Sequence, residues 1–257
     1  MTKVIVAAGS IVMAAGVASI AAWRGSDAAP ASPVPVVVEL FTSEGCSSCP
    51  PADAVLIDLI EHQPVANVQV IGLSEHVDYW DRQGWKDPFS DHLFTQRQNA
   101  YAAASGSAEI YTPQMLVDGA APFVGSDRAA AIAAIRRAGA QPKPDITLTI
   151  APPTSYSVAI APARATAGAS VWLALVEDGL SSMVTGGENS GRALRHAAVT
   201  RRLTSLGRTN KDGSFAHEGV LDLDPRWKRS ALHAIVFVQP GAFGRIAAAR
   251  SVPLGDK

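Results

Sequence analysis

Residues 36–53, with the sequence VVVELFTSEGCSSCPPAD, decide the fold. The stretch begins with an apolar run that contains one carboxylate, Glu39, a pattern typical of a parallel strand buried on both faces. Cys46 and Cys49 follow, and two prolines then open a helical pattern whose apolar residues share one face. The sequence therefore predicts a Cys-x-x-Cys pair between a buried strand and the N-terminus of a helix.

This position favours redox chemistry at the two cysteines. Unpaired backbone N–H groups and the positive end of the helix dipole stabilise a thiolate at a helix N-terminus. We therefore predict that Cys46 is the nucleophile. Cys49 is then the resolving thiol, because it can reach back across one turn and attack a mixed disulfide.

Two other interpretations of the pair remain open. A structural disulfide that closes so short a loop would restrain little chain entropy in the unfolded state. A metal site formed by two thiolates and an imidazole, such as His76 or His92, would suit Cu or Zn. A complete zinc site would show a second cysteine pair or a closely spaced histidine pair, and the chain has neither. We expect no resident metal and no cofactor.

The composition limits the class of protein. The chain has 257 residues, 22 Lys and Arg against 23 Asp and Glu, and a hydrophobic fraction of 47%. This balance is typical of a globular protein and provides no overall basic surface, so we expect no nucleic-acid partner. Both cysteines belong to one motif, which excludes a scaffold held by several disulfides.

The N-terminal residues have the pattern of an export signal. Lys3 precedes an uncharged, apolar run over residues 4–23, and small residues near Ala28 fit a cleavage site. Residues 1–28 are therefore expected to be a signal peptide or an uncleaved membrane anchor, with a linker at 29–35. Either outcome predicts a periplasmic or secreted protein, in a compartment that permits disulfides. A membrane is expected as a partner only if the segment stays uncleaved.

Two domains are predicted for the exported part. Residues 36–140 alternate strands and helices, which predicts an α/β domain with a mixed sheet flanked by helices. Residues 145–254 contain about seven short runs of alternating polarity separated by turn residues, which predicts an all-β, sandwich-like domain.

The first of these domains resembles the thioredoxin fold, with its cysteine pair between strand and helix and Thr112-Pro113 before a strand-turn-strand unit. Further motifs are similar to those of the bacterial secreted domain-of-unknown-function family twelve twenty-three. They lie at residues 39–53, 75–80 and 84–89, and at residues 187–192 continuing to His196. The resemblance covers nearly all of the exported chain.

The resemblance implies roles for individual residues. Pro113 lies where thioredoxin-like proteins place a cis-proline beside the cysteines, and with Thr112 it would hold backbone available to a substrate strand. Glu39 is implied as a proton acceptor for Cys49, although a carboxylate paired within the sheet or turned to water is the alternative.

Residues 76–94 form an aromatic insertion. His76, Trp80 and Trp85 belong to it and are candidate substrate-binding residues, if the insertion lies beside the cysteines as a lid or platform. The alternative is that its rings cover the core. The glycine-rich loop at residues 186–191 is either a structural turn or an element that docks on the cysteine site.

These features predict an exported thiol-disulfide oxidoreductase whose partners are protein or small-molecule thiols and disulfides. The alternative function is a binding module that holds a soft metal ion or a peptide through the cysteines, His76 and the aromatic insertion.

Overall fold

The structure is a computed structural model that describes residues 1–3, 32–107 and 109–255. Ser32–Lys257 form one compact unit. The predicted signal peptide or anchor at residues 1–28 lies outside the described residues, apart from its first three. In the part of the chain that the structure describes, no helix has the length and apolar character needed to cross a bilayer. The predicted linker ends early, because its last two residues already belong to the first strand.

Three α-helices and thirteen strands make up the described chain, numbered here in chain order. The helices are α1 (Pro50–His62), α2 (His92–Ser105) and α3 (Arg128–Gly139). The strands are β1 (Val34–Thr42), β2 (Val68–His76), β3 (Gln114–Val117), β4 (Phe123–Val124), β5 (Ile146–Ala151), β6 (Ser155–Ile160), β7 (Ser170–Glu177), β8 (Leu180–Met183), β9 (Ala193–His196), β10 (Val199–Arg208), β11 (Phe215–Val220), β12 (Leu232–Gln239) and β13 (Ala248–Pro253).

An eight-stranded mixed sheet runs through the whole unit in the order β13-β12-β7-β10-β2-β1-β3-β4. Strand β1 pairs in parallel with β2 and antiparallel with β3. Strand β10 joins the two halves where Val199 pairs with Ser74 of β2. The described residues therefore form an α/β fold with one continuous sheet, and they differ from the predicted α/β domain followed by a separate β-sandwich.

The physical reason for this difference lies in β7 and β12. Both are almost continuously buried, as expected for central strands covered on both faces. Strands β5, β6 and β11 do alternate, and they form a separate three-stranded sheet. That sheet packs its apolar side against residues such as Val171 and Val236 of the large sheet. The packing is sandwich-like, but one of its two layers belongs to the shared sheet.

Alternation along β1 separates the two faces of its half of the sheet. Val38 points to the core that α1 and α3 cover, whereas Val37 and Phe41 point to the core that α2 covers. We call these the α1 face and the α2 face. This separation of the two faces determines which charged side chains can lie near the cysteines.

Candidate functional site

A disulfide joins Cys46 and Cys49 at the junction of β1 and α1. Both cysteines are fully buried, while Ser47 and Ser48 between them are exposed. Cys49 is the N-cap of α1, and its carbonyl accepts a hydrogen bond from Asp53 N–H at 3.1 Å. The cysteine pair thus has the strand-to-helix position that the sequence predicts, in its oxidised form and shielded from solvent.

The glycine-rich loop at residues 186–191, here called the covering loop, lies on the cysteine segment. The Asn189 side-chain amide donates to the carbonyls of Glu44 and Cys46, each at 2.9 Å. Glu188 Oε2 accepts from Ser47 N–H at 2.9 Å. A Cβ at position 186 would lie 2.2 Å from the Gly84 carbonyl, so this close approach requires glycine. Of the two interpretations of the loop, docking on the cysteine site is the one observed.

Asp53 follows Cys49, the N-cap of α1, by one helical turn. Side chains four residues apart share a helix face, about 5–6 Å apart at Cβ. Asp53 is buried and accepts a hydrogen bond from the Thr42 hydroxyl at 3.0 Å. Burial raises the pKa of the Asp53 carboxyl above its usual value, although His196 and His76 nearby oppose that effect. The spacing therefore places a buried carboxyl on the same helix face as Cys49.

Two histidine–carboxylate pairs adjoin Asp53. His76 Nδ1 lies 2.7 Å from Asp87 Oδ2, and His196 Nε2 lies 3.0 Å from Glu44 Oε1. Burial favours a lower pKa for His76, but the Asp87 carboxylate outweighs it and raises the pKa. Burial likewise favours a higher pKa for Asp87, and the charge of His76 lowers it. Glu44, Asp53, His76, Asp87 and His196 are called the histidine–carboxylate cluster below.

Trp80 connects the cysteine segment to the predicted cis-proline. Its indole N–H donates to Thr112 Oγ1 at 2.7 Å. A Cβ at Gly45 would lie 3.2 Å from the Trp80 Cβ, so the tryptophan packs against the residue before Cys46. The Thr112–Pro113 peptide bond is cis, as the resemblance implies. Trp80 and Thr112 thus lie together beside the cysteines.

Glu39 does not lie where its predicted role needs it. It points to the α2 face, where Arg97 Nη2 lies 2.6 Å from Glu39 Oε1 and Tyr101 donates to Oε2 at 2.6 Å. The cysteines and Asp53 belong to α1 and its N-terminus, on the other side of β1. The alternative stated for Glu39 was a carboxylate paired within the sheet or turned to water; the structure buries Glu39 and pairs it with Arg97 and Tyr101 of α2.

The remaining candidates support the site without touching the sulfurs. Trp85 donates its indole N–H to Glu44 Oε2 at 2.9 Å, and His76 is held by Asp87. His92 is exposed and pairs with Asp78. Among residues 1–3, 32–107 and 109–255, no group of three or more His, Cys, Asp or Glu side chains is placed to hold a metal ion.

Sequence reasoning did not single out four buried residues that lie near the cysteine segment, namely Glu44, Asp53, Asp87 and His196. Asp53 carried a usable signal, because it follows Cys49 by one helical turn. The other three lie within the quoted motifs, but their convergence depends on long-range contacts. Residues 39–53, 75–80, 84–89 and 187–196 all meet at the disulfide in the structure.

Comparisons with known proteins identify relatives of the whole unit. The crystal structure of protein AGR_C_4864 from Agrobacterium tumefaciens is 27% identical, with a TM-score of 0.70, and the match covers 88% of this chain and 96% of that one. HBP35 of Porphyromonas gingivalis shares the fold at 17% identity and a TM-score of 0.59, over 87% of this chain and 76% of that one. None of the curated proteins matches. The family model described as "Protein of unknown function (DUF1223)" matches residues 37–239, and the chain therefore belongs to that family.

Proposed function

We propose that the protein is an exported thiol-disulfide oxidoreductase with a thioredoxin-like arrangement around its cysteines. The observation that carries the proposal is the position of the disulfide. It lies at the N-terminus of α1, with Asp53 one turn behind it and Thr112-Pro113 brought beside it through Trp80. Helix N-termini stabilise the thiolate that thiol exchange requires.

The reaction needs two exchanges. A thiolate of the partner attacks Cys46 Sγ, the Cys46–Cys49 bond breaks, and its electron pair leaves on Cys49 Sγ. Cys49 takes up a proton, and a second partner thiol then breaks the mixed disulfide at Cys46. The protein gains two electrons and the partner dithiol is oxidised to a disulfide. In the reverse direction Cys49 loses its proton and releases the partner from Cys46.

Access to Cys46 requires movement of the covering loop. Asn189 binds the carbonyl of Cys46, and Glu188 occupies the Ser47 N–H, so a partner cannot approach while both contacts persist. In this proposal the loop lifts before exchange. The partner class is a protein or small-molecule thiol or disulfide in an extracytoplasmic compartment, since the cysteines would form their disulfide there.

A trapping experiment tests this function. Cys49→Ser leaves Cys46 as a single thiol without its resolving partner, and oxidised glutathione serves as the probe. We expect Cys49→Ser to accumulate a stable glutathione adduct at Cys46, measured by intact mass, while reduced wild-type protein returns to its internal disulfide. Cys46→Ser is the matched control and should form little adduct. Equal adducts in both variants, or none in either, would overturn the proposal.

A further inference from the structure

Two buried imidazoles near Asp53 each have one ring nitrogen without a hydrogen-bond partner. His196 Nε2 is held by Glu44, and its Nδ1 has no hydrogen-bond partner but lies 3.9 Å from Asp53 Oδ2. His76 Nδ1 is held by Asp87, and its Nε2 also has no hydrogen-bond partner. The two rings are 4.9 Å apart, edge to face. Both residues are at least 97% buried, with 0% and 3% exposure.

Such an arrangement is costly for stability alone. A buried polar atom without a hydrogen bond destabilises the folded state. Here two such nitrogens lie in one cluster, and each imidazole is oriented by a carboxylate on its opposite nitrogen. This orientation is the one found where an imidazole transfers a proton.

Reduction of the disulfide requires a proton at Cys49 Sγ. Breaking the bond leaves the electron pair on Cys49 Sγ, and Cys49 is fully buried in the oxidised structure. Asp53 is the carboxyl one turn along the same helix face. His196 from β9 and His76 from β2 face Asp53. Beyond them lie Glu44, in the loop between β1 and α1, and Asp87, in the loop between β2 and α2.

We propose that Asp53 gives Cys49 its proton during reduction and that His196, oriented by Glu44, reprotonates Asp53. Cys49, Asp53 and His196 then form a buried proton relay. The proposal rests on the proposed function. In the balanced step the S–S bond breaks, Cys49 Sγ receives the electron pair, and the proton passes from Asp53 to sulfur. His196, holding a proton on Nδ1, then restores the proton on Asp53 and is left as a neutral imidazole; overall, the two partner thiols lose the two protons that Cys46 and Cys49 gain. The same relay runs in reverse when Cys49 attacks a mixed disulfide.

The first test compares rates of disulfide reduction by dithiothreitol across a pH series, each corrected for the fraction of dithiothreitol thiolate. General acid catalysis contributes about 100-fold or more. We expect the corrected rate of wild type to decline at higher pH, as Asp53 loses its proton. Asp53→Asn and His196→Gln should be reduced about 100-fold more slowly, and their corrected rates should not show that decline. His62→Gln, an exposed histidine at the end of the same helix, is the matched control and should behave as wild type.

A second measurement uses wild-type protein alone and so does not depend on how the variants fold. Imidazole ¹⁵N shifts of His196 are compared in the oxidised and reduced protein. We expect a change in its protonation or tautomeric state on reduction. An unchanged His196 ring, or variants that keep the wild-type rate and pH profile, would overturn the relay. If dithiothreitol fails to reduce wild type at any pH, the proposed function itself is wrong, which is a separate outcome.

Discussion

Two groups of buried charge lie on opposite faces of the same sheet, and they are built differently. Glu75 and His76 are consecutive residues of β2, yet Glu75 belongs to the α2 face and His76 to the α1 face beside Asp53. On the α1 face, two imidazole nitrogens are left without partners beside a disulfide. On the α2 face, Arg97 lies between Glu39 and Glu75, and there too Arg97 Nη1 and both Glu75 carboxyl oxygens lack hydrogen-bond partners.

Arg97 organises the second group, here called the Arg97 cluster. It pairs with Glu39, donates to Tyr101 at 3.0 Å, and lies 3.4 Å from Glu75. Four aromatic rings surround the guanidinium at 5.1–5.6 Å, and stacked cations of this kind gain stability from the ring faces. The rings belong to Tyr101, Trp172, Phe237 and Phe243. The comparison teaches that burial of charge alone does not mark a reactive site, since only one of the two groups faces the disulfide.

The largest effect is expected from Arg97→Met. It leaves Glu39 buried without its cation, which costs about 3–5 kcal/mol of unfolding free energy when one partner of a buried pair is removed. Chemical denaturation with the disulfide intact measures the loss. Arg128→Met, which removes an exposed pair with Asp58, is the control and should cost no more than about 1 kcal/mol. Equal losses in the two variants would contradict a structural role for the Arg97 cluster.

A smaller effect is expected from Asn189→Ala on the disulfide side. The variant removes two hydrogen bonds to buried carbonyls, which should lower the unfolding free energy by about 2 kcal/mol. Because the covering loop is then held less firmly, dithiothreitol should reduce the disulfide faster than in wild type. Asn210→Ala, at an exposed turn, should leave the rate unchanged. A slower or unchanged reduction of Asn189→Ala would show that the loop does not limit access.

The smallest effect concerns the pH dependence of stability. Burial raises the pKa of Glu75 well above its usual 4.5, with Glu39 adding to the effect and Arg97 opposing it. The folded state therefore keeps this proton to higher pH than the unfolded chain does, so stability is full below 4.5 and falls as pH rises toward the folded pKa. One such group contributes a slope of up to about 1.4 kcal/mol per pH unit.

We expect Glu75→Gln to flatten that decline, as measured by denaturation midpoints over a pH series. Exposed Glu61→Gln serves as the control and should keep the wild-type slope. If the stability of Glu75→Gln still declines steeply with pH, another group causes the pH dependence. The next candidate is Asp53 on the α1 face, because its pKa is also raised.

Local features of the fold were predictable because they depend on short-range patterns. Helix α1 follows the cysteines with the expected proline start, and Asp91 caps α2 one residue before the helix begins. Strand β1 starts at Val34, two residues before its predicted start, because Val34 and Pro35 also pair with β2. The strand-to-helix position of the cysteine pair was also predicted, and the structure joins the two cysteines in a disulfide.

Long-range features were not predictable from these patterns. The single pairing of Val199 with Ser74 joins the two halves of the sheet, and nothing in either local sequence specifies it. Glu39 was misplaced because neighbouring residues of a strand face opposite sides of the sheet, and Glu39 faces the side that α2 covers. His196 reaches the site through the β8–β9 pair and the docking of the covering loop, which only the folded chain brings together.

Redox titration of the disulfide tests the central claim most directly. The protein is equilibrated in glutathione buffers of graded ratio, and free thiols at Cys46 and Cys49 are counted by alkylation and mass shift. We expect a reversible two-electron transition between about −120 and −270 mV, the range of known thiol-disulfide oxidoreductases. A disulfide that stays oxidised across this whole range would contradict the account and make the Cys46–Cys49 bond a structural one.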